Sequence, residues 1–299
     1  MKDDISKLYH YTKIRNIVSI LKSKKLWLND LNFMDDPTDR AYGCLYTIKS
    51  IHESELDKVK KIRNNMDDVF IIGEFMKEFE TRYYAMSFSL KYDNRKMWND
   101  YAKCSSDNCL GTCIYKTDYI DCKYKNGCMV EFDGNVLNEK VSKYQHFTIR
   151  NVLYDNKTSS RFDEIADVIL NEDVDEDLMS SKRICNDLIQ LIEAVTEGVV
   201  KDEAKWGHQK EYRALYKEKE PILNVRKRIP LLSDKRNRKF NGHYEIGIED
   251  ELRDGLIKKI VLCDDDFYGK TAVEKCIKDQ GLNNIEVLFY SDFCKLQNN

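Results

Sequence analysis

The chain has 299 residues, 42% hydrophobic and 11% aromatic, which is enough to bury a sizeable core and too apolar for a wholly disordered chain. Its 49 basic residues nearly balance 52 acidic ones, leaving a formal charge of −3, so the overall charge demands neither a nucleic-acid nor a membrane partner. No apolar run approaches the roughly 20 residues that span a bilayer, and the opening Met1–Ser6 lacks the apolar stretch of a signal peptide, so we expect a cytoplasmic protein whose ten cysteines are mostly reduced thiols.

In chain order, residues 7–12 read as a strand, and Ile14, Ile17, Val18, Ile20 and Leu21 then recur at helical spacing. Leu26-Trp27-Leu28 predicts a second short strand, followed by the turn chemistry of Asp35-Asp36-Pro37. The charged stretch 53–80 carries an interrupted helical stripe. Tyr83–Ser89 reads as a strand, and residues 96–101 as a helical turn after it. Strands are further expected at 127–132, 149–154, 211–216, 244–248, 257–262 and 285–290, with a helix from about Lys270 to Asp279 between the last two. With no internal repeat or linker, the pattern predicts one α+β domain over 1–299, with a Cys-rich insert near 102–126 and a helical insertion near 160–200.

Three pieces of polar chemistry lie on or beside predicted strands: His10-Tyr11-Thr12, Ser87-Phe88-Ser89 and Gln209-Lys210-Glu211. Strand-borne groups are held rigidly, which suits a site. Each also has a plainer reading. His10 can be a core histidine bonded to backbone, Ser87 and Ser89 can bond neighbouring strands, and Glu211 with Arg213 can be an ion pair on one strand face. Trp27, Trp98 and Trp206 read first as core anchors.

Leu8-Tyr-His-Tyr-Thr12, Leu26-Trp-Leu-Asn29, Asp35-Asp-Pro-Thr-Asp39, Ser87-Phe-Ser89, Met97-Trp-Asn-Asp-Tyr101, Gly127–Phe132 and Trp206 followed by Glu211-Tyr-Arg213 resemble, in order, the motifs of the bacterial family catalogued as domain of unknown function 2971. The layout is more distantly similar to the ADP-ribosyltransferase fold, a mixed and largely antiparallel split sheet with flanking helices. That resemblance implies NAD as substrate and a toxin or phage-defence role. It implies that His10 contacts a ribose, that Tyr11, Thr12, Ser87, Phe88 and Ser89 line the ligand, and that Glu211 is the catalytic carboxylate with Gln209 orienting an acceptor. Where the family has acidic residues at both positions of its late motif, this chain has Gln209 at the first.

The chemistry suits those residue types. Breaking a nicotinamide–ribose bond builds positive charge on the sugar, as glycoside cleavage does, and a fixed carboxylate stabilises it. The acceptor would be a nucleic acid, a protein or water. The alternatives are a catalytically inactive module that senses a nucleotide in the same cleft, and an RNA-directed protein whose basic run Arg226, Lys227, Arg228, Lys235, Arg236, Arg238 and Lys239 grips phosphates. Cys104, Cys109, Cys113 and Cys122 supply four thiolates that could hold zinc, but their spacing lacks the paired C-x2-C knuckles of strong zinc sites, so free thiols are the competing reading.

Overall fold

The computed structural model describes residues 5–31, 48–65, 83–102, 127–144, 146–154, 163, 166, 200–201, 207–218, 243–264 and 266–297. Its first strand, β1 (Lys7–Lys13), runs directly into helix α1 (Ile14–Ser23). The five apolar residues read at helical spacing are all buried, so packing of one stripe holds a helix that no side chain caps. α1 stops where Lys24 takes a left-handed φ of 52° and its N–H donates to the Ile20 carbonyl at 2.8 Å. Strand β2 (Lys25–Asp30) follows at once and alternates exposed and buried residues along its whole length.

The remaining elements are α2 (Asp57–Asn65), β3 (Tyr83–Ser89), a helical turn over Arg95–Ala102, β4 (Gly127–Asp133), α3 (Gly134–Ser142), β5 (Phe147–Asn151), β6 (Leu153–Tyr154), β7 (Val200–Lys201), a 3-10 turn over Gly207–Gln209, β8 (Glu211–Lys217), β9 (His243–Gly247), α4 (Glu249–Arg253), β10 (Ile257–Leu262), α5 (Phe267–Asp279), β11 (Glu286–Phe289) and α6 (Tyr290–Gln297). The predicted strand 149–154 is two strands, broken at Val152, whose N–H still donates to the Glu211 carbonyl at 2.8 Å in register with the β5–β8 ladder. Helices α3, α4 and α6 were not anticipated. α3 is only nine residues long and starts on a capping Asp133, whose Oδ1 accepts from the N–H groups of Asn135 and Val136 at 3.0 and 3.1 Å. The cysteines at 104–122, Asp35-Asp36-Pro37, Trp206, the run 226–239 and most of 160–200 lie outside the described residues.

Among the described residues, nine strands form one mixed and mostly antiparallel sheet. The path β11-β10-β4-β1-β3-β2-β9 is antiparallel except at β10–β11, and β8 pairs with both β3 and β5. Strand β3 is the pivot. One edge pairs with β8 along its full length, from Tyr83–Lys217 to Ser89–Glu211. The other edge is shared end to end: β1 meets it at Tyr9–Ser89, and β2 at Asn29–Ala85 and Asp30–Tyr84. Because α1 joins β1 to β2, the two strands run the same way and then diverge, β1 towards β4 and β2 towards β9. The sheet therefore forks at Met86–Phe88.

The two faces differ in chemistry. Leu8, Met86, Phe88, Val130, Phe132, Ala214 and Ile260 share one face, buried in one cluster with α1, α3 and α5. The opposite face carries Tyr9, Tyr11, Met129 and Val261, packed against Trp98, Ala102 and Phe293. At its start α3 sits so close to the N-terminal segment that a Cβ on Gly134 would collide with the Ile5 carbonyl, while the Gly134 N–H donates to Ser6 at 3.0 Å. Gly134→Ala should therefore destabilise the protein by about 1–3 kcal/mol despite alanine's better helix propensity. Chemical denaturation checks this, and unchanged or increased stability would contradict it.

Candidate functional site

The three pieces singled out in the sequence lie on or directly beside consecutive neighbours in the sheet, β1, β3 and β8. At the fork, Ser87 has no strand residue opposite it among the described residues on the divided edge of β3, between the pairs at Ser89 and Ala85. Its carbonyl instead accepts a hydrogen bond from His10 Nδ1 at 2.8 Å. A side chain thus replaces the missing ladder bond. A carbonyl can only accept, so Nδ1 carries the proton, and the neutral ring leaves Nε2 as a lone-pair acceptor with no partner among the described residues. His10 is partly exposed by surface area, yet enclosed enough that burial holds its pKa below the usual 6.5, opposed in part by the bond to Ser87.

Register separates the groups by face. His10 is opposite Val130 and meets the Phe88 ring edge-on at 6.0 Å, so its ring is on the α1 side. Ser87 and Ser89 are opposite Arg213 and Glu211, on the other side. There the Glu211 carboxylate receives Arg213 Nε at 2.6 Å and Nη2 at 3.4 Å, both side chains almost fully buried. Such a desolvated bidentate pair keeps the carboxylate ionised and fixed. The Ser87 Oγ lies beside it, shielded from solvent with no hydrogen-bond partner among the described residues.

Glu211 also ends a row. Lys259, Glu131, Tyr9, Ser89 and Glu211 are successive cross-strand partners on five adjacent strands and share one face. Four of them are no more than 3% exposed. At about 4.8 Å per strand, the backbone positions of Glu131 and Glu211 are roughly 14 Å apart. Lys259 Nζ approaches Glu131 Oε1 at 3.4 Å, and burial together with the Glu131 charge raises the Tyr9 phenol pKa. The sequence signal for Glu131 is a lone acid within the apolar run Cys-Met-Val-Glu-Phe.

The turn before β8 is fastened from several sides. Ser89 Oγ donates to the Gln209 carbonyl at 2.7 Å, Asn94 Nδ2 donates to the His208 carbonyl at 2.5 Å, and Gln209 Nε2 donates to the Tyr101 hydroxyl at 2.8 Å. Lys210 takes φ of 43°, a left-handed conformation, as the chain passes from the turn into β8, and the Glu211 N–H donates to the Tyr154 hydroxyl at 3.0 Å. Gln209 and Ser89 are therefore engaged in holding the site. Tyr11 and Phe88, expected to line the ligand, are core rings: Tyr11 donates to the Lys91 carbonyl at 2.6 Å and meets Trp98 edge-on, while Phe88 meets Phe132 edge-on at 5.3 Å. Thr12 Oγ1 accepts from Asn16 in the first turn of α1.

No protein-family model, curated protein or solved structure matches the chain. Among the described residues, no cluster of His, Cys, Asp and Glu could hold a metal ion, and no helix is long and apolar enough to cross a membrane. Cys128 is fully buried, and burial pushes its thiol pKa up, which makes it a core residue rather than a nucleophile.

Proposed function

We propose that the fork between β1, β3 and β8 binds a nucleotide, and that the chain is an ADP-ribosyltransferase-like protein which cleaves NAD there. The observation that carries this reading is Ser87. Its carbonyl is anchored by neutral His10 on one side of the fork, while its unpartnered hydroxyl lies on the face of the fixed, ionised Glu211. A break in a strand edge is a place where a ligand can reach groups of both faces. His10 Nε2 accepts a ribose hydroxyl, and Ser87 Oγ supports the nicotinamide side.

In the reaction, the bond between nicotinamide nitrogen and ribose C1 breaks and nicotinamide leaves with the electron pair. The oxocarbenium-like ribose is stabilised by Glu211, and an acceptor oxygen or nitrogen, or water, attacks C1 and releases a proton. The resemblance of the chain's ordered motifs to the family catalogued as domain of unknown function 2971 prompts the same reading. Nicotinamide release from NAD by the purified chain tests it. Glu211→Gln should lower that rate by on the order of 10²–10³-fold.

A second reading, a catalytically silent nucleotide sensor, is favoured by one observation: Arg213 already bonds both Glu211 oxygens, while the His10 ring sits on the other face. NAD binding without turnover, unchanged in Glu211→Gln, would select it.

A further inference from the structure

Trp27 was expected in the core, yet it is 45% exposed. The pleat explains this: in β2, Leu26 and Leu28 point into the α1 side and Trp27 points away from it. Its indole is stacked on the His243 ring from β9, with centroids 4.7 Å apart and planes within 26°. The pair is held in place by a chain of polar contacts. His243 Nε2 is 3.2 Å from Glu245 Oε1, and Glu245 Oε2 bonds Lys25 Nζ at 2.6 Å. Two rings thus form a fixed flat surface on a single sheet face.

The surroundings identify what such a surface takes. Lys25 and Asn29 flank Trp27 on the same face, each about 7 Å along the strand, and both are exposed. A Cβ on Gly247, opposite Lys25, would meet nothing within 4 Å, so the approach is open. No second large apolar residue of β2 or β9 shares this face, which is too little apolar surface for the core of a protein interface. The platform is shallow, whereas a free nucleotide or other small ligand is held in a concave pocket that encloses most of it. Open aromatic platforms instead bind bases along a strand, where stacking is repeated and phosphates meet basic groups. The corner leading into β2 supplies Lys22, Lys24 and Lys25 within four residues; Lys24 is paired with Glu249 and Lys25 with Glu245, and Lys22 is exposed.

We propose that the Trp27–His243 stack on β2 and β9 is a platform for an unpaired base of a single-stranded nucleic acid, with Asn29 offering its amide to the base edge and Lys25 exchanging its bond to Glu245 for one to a phosphate. This site does not depend on NAD cleavage. By register it shares a sheet face with Ser87 and Glu211, through Asn29–Ala85 and the odd-numbered residues of β3. A strand bound there would lie on the same face as the proposed reaction.

The test is fluorescence anisotropy of the full chain with a labelled 12-nucleotide single-stranded RNA, at two salt concentrations. Wild type should bind, more weakly at the higher salt. Trp27→Ala should weaken binding about 5- to 100-fold, Trp27→Phe by only a few-fold, and Phe267→Ala, at an exposed ring on α5, should leave it unchanged. Circular dichroism checks that Trp27→Ala remains folded. The proposal is overturned if the RNA does not bind, if Trp27→Ala binds it as wild type does, or if a mononucleotide, a duplex of equal length or an oligosaccharide competes as well as the single strand.

Discussion

Replacing Arg213 with alanine should lower the thermal unfolding midpoint by roughly 10 °C. Its guanidinium and the Glu211 carboxylate are bonded at 2.6 Å with side chains 1% and 4% exposed, so the attraction is scarcely screened by water. Removing one partner of such a pair typically costs about 3–5 kcal/mol, because the other charge stays desolvated. In a chain of this size each kcal/mol shifts the midpoint by about 2–4 °C. The loss should be smaller near pH 4 than at pH 7. Unpaired burial favours the neutral acid, and a protonated Glu211 needs no counter-charge. The double replacement Glu211→Gln with Arg213→Met should recover much of the stability, since neither charge is then buried alone. A midpoint within 2 °C of wild type at pH 7 would mean that the pair contributes nothing to the fold.

What the sequence conveyed follows from which interactions are local. Strands β1, β3, β8 and β10 are legible because their runs are short, apolar and bounded by polar residues, and α1 because five apolar residues fall on one stripe. Helix α3 is not legible: its nine residues hold three buried positions, and its start depends on a capping Asp133 that also ends a strand. Among the site residues, the Glu211–Arg213 contact can be read from their spacing of two on a strand, which puts both on one face. The separation of His10 from Ser87 and Glu211 cannot, because it follows from the register of β1 against β4 and β3, a pairing between segments more than 75 residues apart. Trp27 was misplaced for a related reason. Local apolar context suggested burial, whereas the pleat and the open side of β9 decide its exposure.

His10 should make stability depend on pH below about 6.5. Burial holds its folded pKa below 6.5, so the unfolded chain binds the proton more readily than the folded one. The contribution is fully present above pH 6.5 and is lost as the pH falls towards the folded value, at up to about 1.4 kcal/mol per pH unit. His10→Asn keeps an amide donor near the position of Nδ1 for the Ser87 carbonyl but cannot titrate. Its unfolding free energy should trail wild type by about 1 kcal/mol at pH 8 and converge with it as the pH is lowered through 6 to 5. His10→Ala removes the donor and the ring against Phe88, and should cost roughly 2–3 kcal/mol at pH 8, with the same missing acid dependence. Denaturant titrations of the three proteins from pH 5 to 8 measure this directly. Parallel curves would show that His10 is protonated equally in both states. The ring would then be charged below about pH 6.5, and the reading of His10 as a ribose-hydroxyl acceptor would hold only above that pH.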